Sequence, residues 1–190
     1  MKKSLWKGLA FASLLSFFLV CQVYTVNAAD IDPAKGEFAK GKYINKSPAF
    51  TVQFPENWFT VPAQKNESFR VMSPHPWKVP VATLEISDKP KDAPDIASDM
   101  AVEVYMKALK EAVPESSRHR IEEKGVVTLK DGTKAMTLII KWKFNPTTVL
   151  VSAVLEAYRG DKIVALMCST VPGEGTNSDD MLNWLKTLEF

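Results

Sequence analysis

Two histidines, one late cysteine and a scatter of carboxylates are the residues of this chain whose types could do chemistry, so their spacing comes first. His75 and His119 lie far apart, and neither belongs to an HxxxH or HExxH pattern that would set two ligands on one helix face. A metal needs three or four ligands, and here Asp88, Asp92 and Asp95 would have to approach His75 across two proline-rich loops. The expectation is therefore no metal and no cofactor. Nucleophilic catalysis fares no better, because the chain has no Gly-x-Ser-x-Gly elbow and no Ser or Cys beside a histidine. Glu122-Glu123 and Asp179-Asp180 read as a solvated strand entry and a helix N-terminus, although sequence leaves a glycosidase-like carboxylate pair open. The glycines of "PGEGTN" lack the Lys-Ser/Thr ending of a phosphate loop. No catalytic residue is assigned, and the chain is expected not to be an enzyme.

One stretch stands above this background. "SPHPWKVP" places His75, Trp77 and Lys78 on a stiff connector, and loops held by a rigid sheet are where binding residues concentrate. These three are the candidate residues for a ligand or partner. The competing reading folds Trp77 back to cover the sheet edge, since large aromatics are mostly buried.

The chain opens with a basic start at Lys2, Lys3 and Lys7, an apolar run from Leu9 to Val23, and the small-residue site Val26-Asn27-Ala28. That is the layout of a secretory signal peptide cleaved between Ala28 and Ala29, which implies a periplasmic or secreted protein. A retained membrane anchor is the alternative. A lipoprotein signal would need a small residue before Cys21, where Val20 stands. With the leader gone, Cys168 is the remaining thiol and cannot form an internal disulfide; inside "KIVALMCST" it reads as a small buried hydrophobe. Removing the three leader lysines leaves 21 basic residues against 22 acidic ones, so no electrostatic case for nucleic acid survives. Nothing after the leader is apolar for long enough to cross a bilayer.

These residues must be positioned by a framework, and the pattern supplies one. Residues 29–41 lack periodicity and read as a flexible N-terminal segment; residues 42–190 read as a single domain. Phe50, Val52 and Phe54 alternate like one face of a strand, and "PENW" reads as a hairpin turn into a return strand at Trp58. Phe69–Ser73 and Val81–Ser87 are further strands. After "SDKPKDAPD" a helix is expected, with Ile96, Met100, Val104, Ala108 and Ala112 on its apolar stripe, flanked by Ala101, Tyr105 and Leu109. Asp131-Gly132, "NPTT" and Arg159-Gly160-Asp161 then link four strands into an antiparallel meander. Its last two strands are apolar on both faces, which requires cover on both sides. A final helix starts near Asn177 or Ser178, with Met181, Leu182, Leu185 and Leu188 inward. The fold class is α+β: an antiparallel sheet with helices packed on its faces.

The strand ending in "FPENW", the mid-chain helix, the meander and the closing "LKTLEF" resemble the Mog1/PsbP-like family over Tyr43 to Phe190. The resemblance implies an α/β/α sandwich and a binding or accessory protein rather than a catalyst. The family is functionally mixed, so no specific role transfers. The leading expectation is an exported, non-enzymatic binding or accessory protein of the bacterial cell envelope, with an envelope protein or small ligand as partner. The alternatives are a metal- or carboxylate-dependent enzyme with a pocket between the proline-rich loops, and a membrane-attached lipoprotein.

Overall fold

The structure, a computed structural model, describes residues 35–63, 67–74, 79–112, 119–143, 148–173 and 176–190. The expected leader, with its Ala28-Ala29 cleavage site and Cys21, lies outside these residues. Among them the chain forms ten strands in two sheets, and two helices.

The first sheet is built from β1 (Gly36–Ala39), β2 (Lys42–Lys46) and β3 (Ala49–Gln53), paired antiparallel in that order. Part of the segment expected to be featureless is thus a strand. Its turn has Lys40 and Gly41 both at positive φ (49° and 74°), the requirement of the two-residue hairpin that follows strand twist. Phe54 donates its backbone N–H to Gly41 O at 2.8 Å, which ties this turn to the end of β3. Phe50, Val52 and Phe54 do face one core, as their alternation predicts.

"PENW" forms its turn, with Trp58 N donating to Pro55 O at 3.1 Å. It is not the hairpin expected. β3 pairs with β2, whereas β4 (Phe59–Thr60) pairs with β5 (Phe69–Met72) in the second sheet. The turn carries the chain from one sheet to the other, and Phe54 stacks on Trp58 across it at 5.6 Å.

The second sheet has seven strands in the order β4-β5-β6-β10-β9-β8-β7, with β6 (Val81–Asp88), β7 (His119–Thr128), β8 (Lys134–Lys143), β9 (Val149–Arg159) and β10 (Lys162–Thr170). The meander is as expected, each strand antiparallel to the next. Gly132 and Gly160 take positive φ at its two tight turns. The open edge β7 is blunted by a register shift between Ile121 and Glu123 and by exposed Arg120, Glu122, Glu123 and Lys124.

β9 and β10 are buried on both faces, and the cover differs between them. One face packs Ala153, Leu155, Ala157, Val164, Leu166 and Cys168 against the three-stranded sheet and helix α2 (Ser178–Leu185), through Tyr43, Phe50, Met181 and Leu185. On the other, Val154 and Met167 join Met136, Leu138 and Ile140 of β8 under helix α1 (Asp99–Ala112). Burying each leucine-sized side chain contributes about 1.5–3 kcal/mol. α2 starts where expected, with Asn177 Oδ1 accepting from Asp180 N at 2.8 Å.

α1 is turned relative to the expected stripe. Ala101, Tyr105 and Leu109 are buried, while Met100 is 62 % exposed and Val104 and Ala108 are only half-buried. Ile96 is buried but precedes the helix. The chain ends in a short clasp: Thr51 and Glu189 exchange two backbone hydrogen bonds (2.8 and 3.0 Å), Phe190 N donates to Asp131 Oδ2 at 3.3 Å, and the Phe190 ring lies against Phe50.

Candidate functional site

His75, Trp77 and Lys78 lie outside the described residues. Their connector leaves β5 and returns to β6 at a point closed by Ser73 N donating to Pro80 O at 3.0 Å. His119 opens β7 opposite Trp142 in the register. Asp88 pairs with Lys162, Asp95 Oδ1 accepts from Ala97 N at 2.9 Å, and Asp92 is exposed. Among the described residues no three His, Cys, Asp or Glu side chains come together as a metal site. Cys168 is buried, and burial pushes its thiol well above the ordinary range, which makes it a packing residue.

A different group draws attention. The second proline-rich connector lies across the face covered by α1, and between them opens a pocket of about 30 Å³. That is room for about two water molecules. Pro90, Ala93 and Pro94 come from the connector, Ala101, Val104, Tyr105 and Ala108 from α1, Glu156 and Tyr158 from β9, and Ile163 from β10. The space has a local cause. Three of the facing residues are alanines, too short to reach one another, and the connector is held off by its own turn, Ala93 N to Pro90 O at 3.1 Å. Lys89 N is fixed to Asp161 O at 2.7 Å, which anchors the connector to the β9–β10 turn.

Glu156 is the inward residue of β9 after Ser152 and Val154, so strand alternation alone delivers its carboxyl beneath α1. Among the described residues it has no hydrogen bond or ion pair. Desolvation by its apolar surroundings raises its carboxyl to about 7. Tyr105 and Tyr158 feel the same carboxylate: burial first, then its charge, raise both phenols, Tyr158 to about 12. Glu85, across β10 from Glu156, adds to the effect on Tyr105, and Asp95 to that on Tyr158. The Lys89 ammonium sits 5.2 Å from the Tyr158 ring centre. The pocket thus offers one charge that switches near neutrality, two phenols that stay protonated, and apolar walls.

Sequence reasoning alone does not single out Glu156. The available signal is one carboxylate at an inward position of an otherwise apolar strand, "VLVSAVLEAY".

No family model and no curated protein sequence matches the chain. Solved structures do. The cyanobacterial PsbP protein (CyanoP) of Synechocystis sp. PCC 6803 superposes with a TM-score of 0.60 at 14% identity, covering 87% of this chain and 98% of that one. The Saccharomyces cerevisiae Ran-binding protein Mog1p gives 0.55 at 8% identity, covering 81% and 94%. A Bacteroides thetaiotaomicron protein gives 0.51 at 14% identity, covering 80% of this chain and 48% of that one. The likeness to PsbP and to Mog1p spans nearly their whole lengths, with two antiparallel sheets and two helices among the described residues here. The chain has the Mog1/PsbP-like fold.

Proposed function

We propose that this chain is an exported, non-enzymatic binding or accessory protein of the bacterial cell envelope, acting on a protein or a small ligand. The observation that carries the reading is the make-up of the pocket: one carboxyl among phenolic and apolar groups provides a shape and a single charge, the ingredients of recognition. The basic, apolar and small-residue order of residues 1–28 supports export. A binding role also agrees with Mog1p, a protein of the same fold that binds Ran. Mass spectrometry of the protein recovered from fractionated cells tests the reading. An N-terminus at Ala29 in the envelope fraction is expected; an intact Met1 in the cytoplasm overturns export. The connector with His75, Trp77 and Lys78 is a second surface for a partner on sequence grounds. Trp77→Ala should weaken partner capture with the unfolding midpoint intact, and a large loss of stability would make Trp77 a core residue.

A second reading has one observation in its favour. A carboxyl held near 7 is also what a general acid or base requires, so a carboxylate-dependent enzyme is the competitor. A turnover abolished by Glu156→Gln would select it.

A further inference from the structure

We infer that the pocket over Glu156 is a receptor for a primary ammonium group on an aliphatic stem. This deepens the binding role above and rests on it. An acid on the wall of a small, mostly apolar pocket selects a ligand with one positive end and a slim hydrocarbon body. The available volume takes an ammonium nitrogen and its first methylenes. Pro90, Pro94, Val104 and Ala108 line the same pocket and are half-buried, so further methylenes would lie along them. A guanidinium or a quaternary ammonium is too broad for a space of this size.

Two further observations agree. Glu156 makes no hydrogen bond or ion pair among the described residues and is half-buried, so its carboxylate is open at the pocket for an ammonium to take the place of water. Tyr158 already holds one ammonium, that of Lys89, against its ring, so the wall has the chemistry to attract a second. The charged and titratable groups around the carboxylate are Tyr105 from α1, Glu85 from β6, Tyr158 on β9, and Asp95 and Lys89 from the connector. Two of these are acids, and they strengthen the field for a cation. Lys89 opposes it.

The ammonium could belong to a lysine side chain of a protein or to a free amine, and the test separates them. The purified protein, in the form cells accumulate, is titrated with n-butylamine, n-butanol, tetramethylammonium and Nα-acetyl-lysine methylamide, and the methyl signals of Ala101 and Ile163 are followed by NMR. n-Butylamine should shift those signals saturably, and n-butanol and tetramethylammonium should not. Its affinity should fall about tenfold from pH 8 to pH 6, as the ionised fraction of a carboxyl titrating near 7 falls from about nine-tenths to one-tenth. Glu156→Gln should abolish binding at both pH values. Tighter binding of the lysine derivative assigns the site to a protein lysine, and tighter binding of butylamine assigns it to a free amine. Equal binding of butanol, binding retained in Glu156→Gln, or no saturable shift overturns the ammonium. If amines fail while the protein is still found in the envelope, this inference falls and the export reading stands.

Discussion

Replacing Glu156 with glutamine should change how stability depends on pH, in a direction opposite to ordinary acid denaturation. In the folded chain burial raises the carboxyl from 4.5 to about 7. Between those values the folded state holds a proton that the unfolded state has released, so stability is full below about 4.5 and falls as pH rises through 7. Moving a titration by one pH unit corresponds to about 1.4 kcal/mol, which sets a ceiling of about 3 kcal/mol. Because Glu156 is only half-buried and the pocket admits solvent, about 2 kcal/mol is the figure to expect. Urea unfolding at pH 5 and pH 8 reads it directly. The unsubstituted protein should lose about 1 M in midpoint across that interval, relative to Glu156→Gln measured the same way. Taking the difference between the two proteins cancels the histidines and every other group that titrates in the window. Parallel pH profiles would refute the reasoning, because they would mean the carboxyl is as well solvated folded as unfolded.

Two substitutions test the three-stranded sheet. Gly41→Ala would place a Cβ 2.3 Å from Phe54 O and 2.8 Å from Pro55 O at a φ of +74°, and should cost at least about 2 kcal/mol in chemical denaturation. Gly132→Ala shares the positive φ but meets nothing within 4 Å, so it should lose about 1 kcal/mol, and equal losses would exclude the clash. Asn45→Ala removes the acceptor of the buried Tyr43 hydroxyl (2.9 Å) and the donor to Pro48 O (2.7 Å), for a loss of about 1–3 kcal/mol. Adding Tyr43→Phe to that variant should recover part of the loss, and a purely additive pair would deny the coupling.

The meander was legible because Asp131-Gly132 and Gly160-Asp161 mark turns whose short length permits only adjacent antiparallel strands. The same logic misled at "PENW". A turn sequence fixes where the chain bends, and says nothing about which strand lies beside it afterwards. β2 was hidden for a chemical reason: its inward residues are Tyr43 and Asn45, while the apolar Ile44 faces out, so counting hydrophobes misses its period. In α1, a series stepping by four residues advances 400° and drifts around the helix by 40° per step, which is why Met100 and Val104 leave the buried face that Ala101, Tyr105 and Leu109 hold. The candidate pocket was the least legible part. It depends on a helix, a connector and two strands meeting over one carboxyl, and a linear pattern records none of those distances.

The clasp made by Thr187 to Phe190 has a bearing on how the molecule comes together. Thr187 Oγ1 accepts from Gln53 N at 2.7 Å, so the final residues stitch β3 to the hairpin at Asp131. The outer edge of β3 is therefore fastened by a residue 134 positions further along, a closure that local contacts cannot supply. A chain shortened before Thr187 would keep its meander and leave that front edge unlatched.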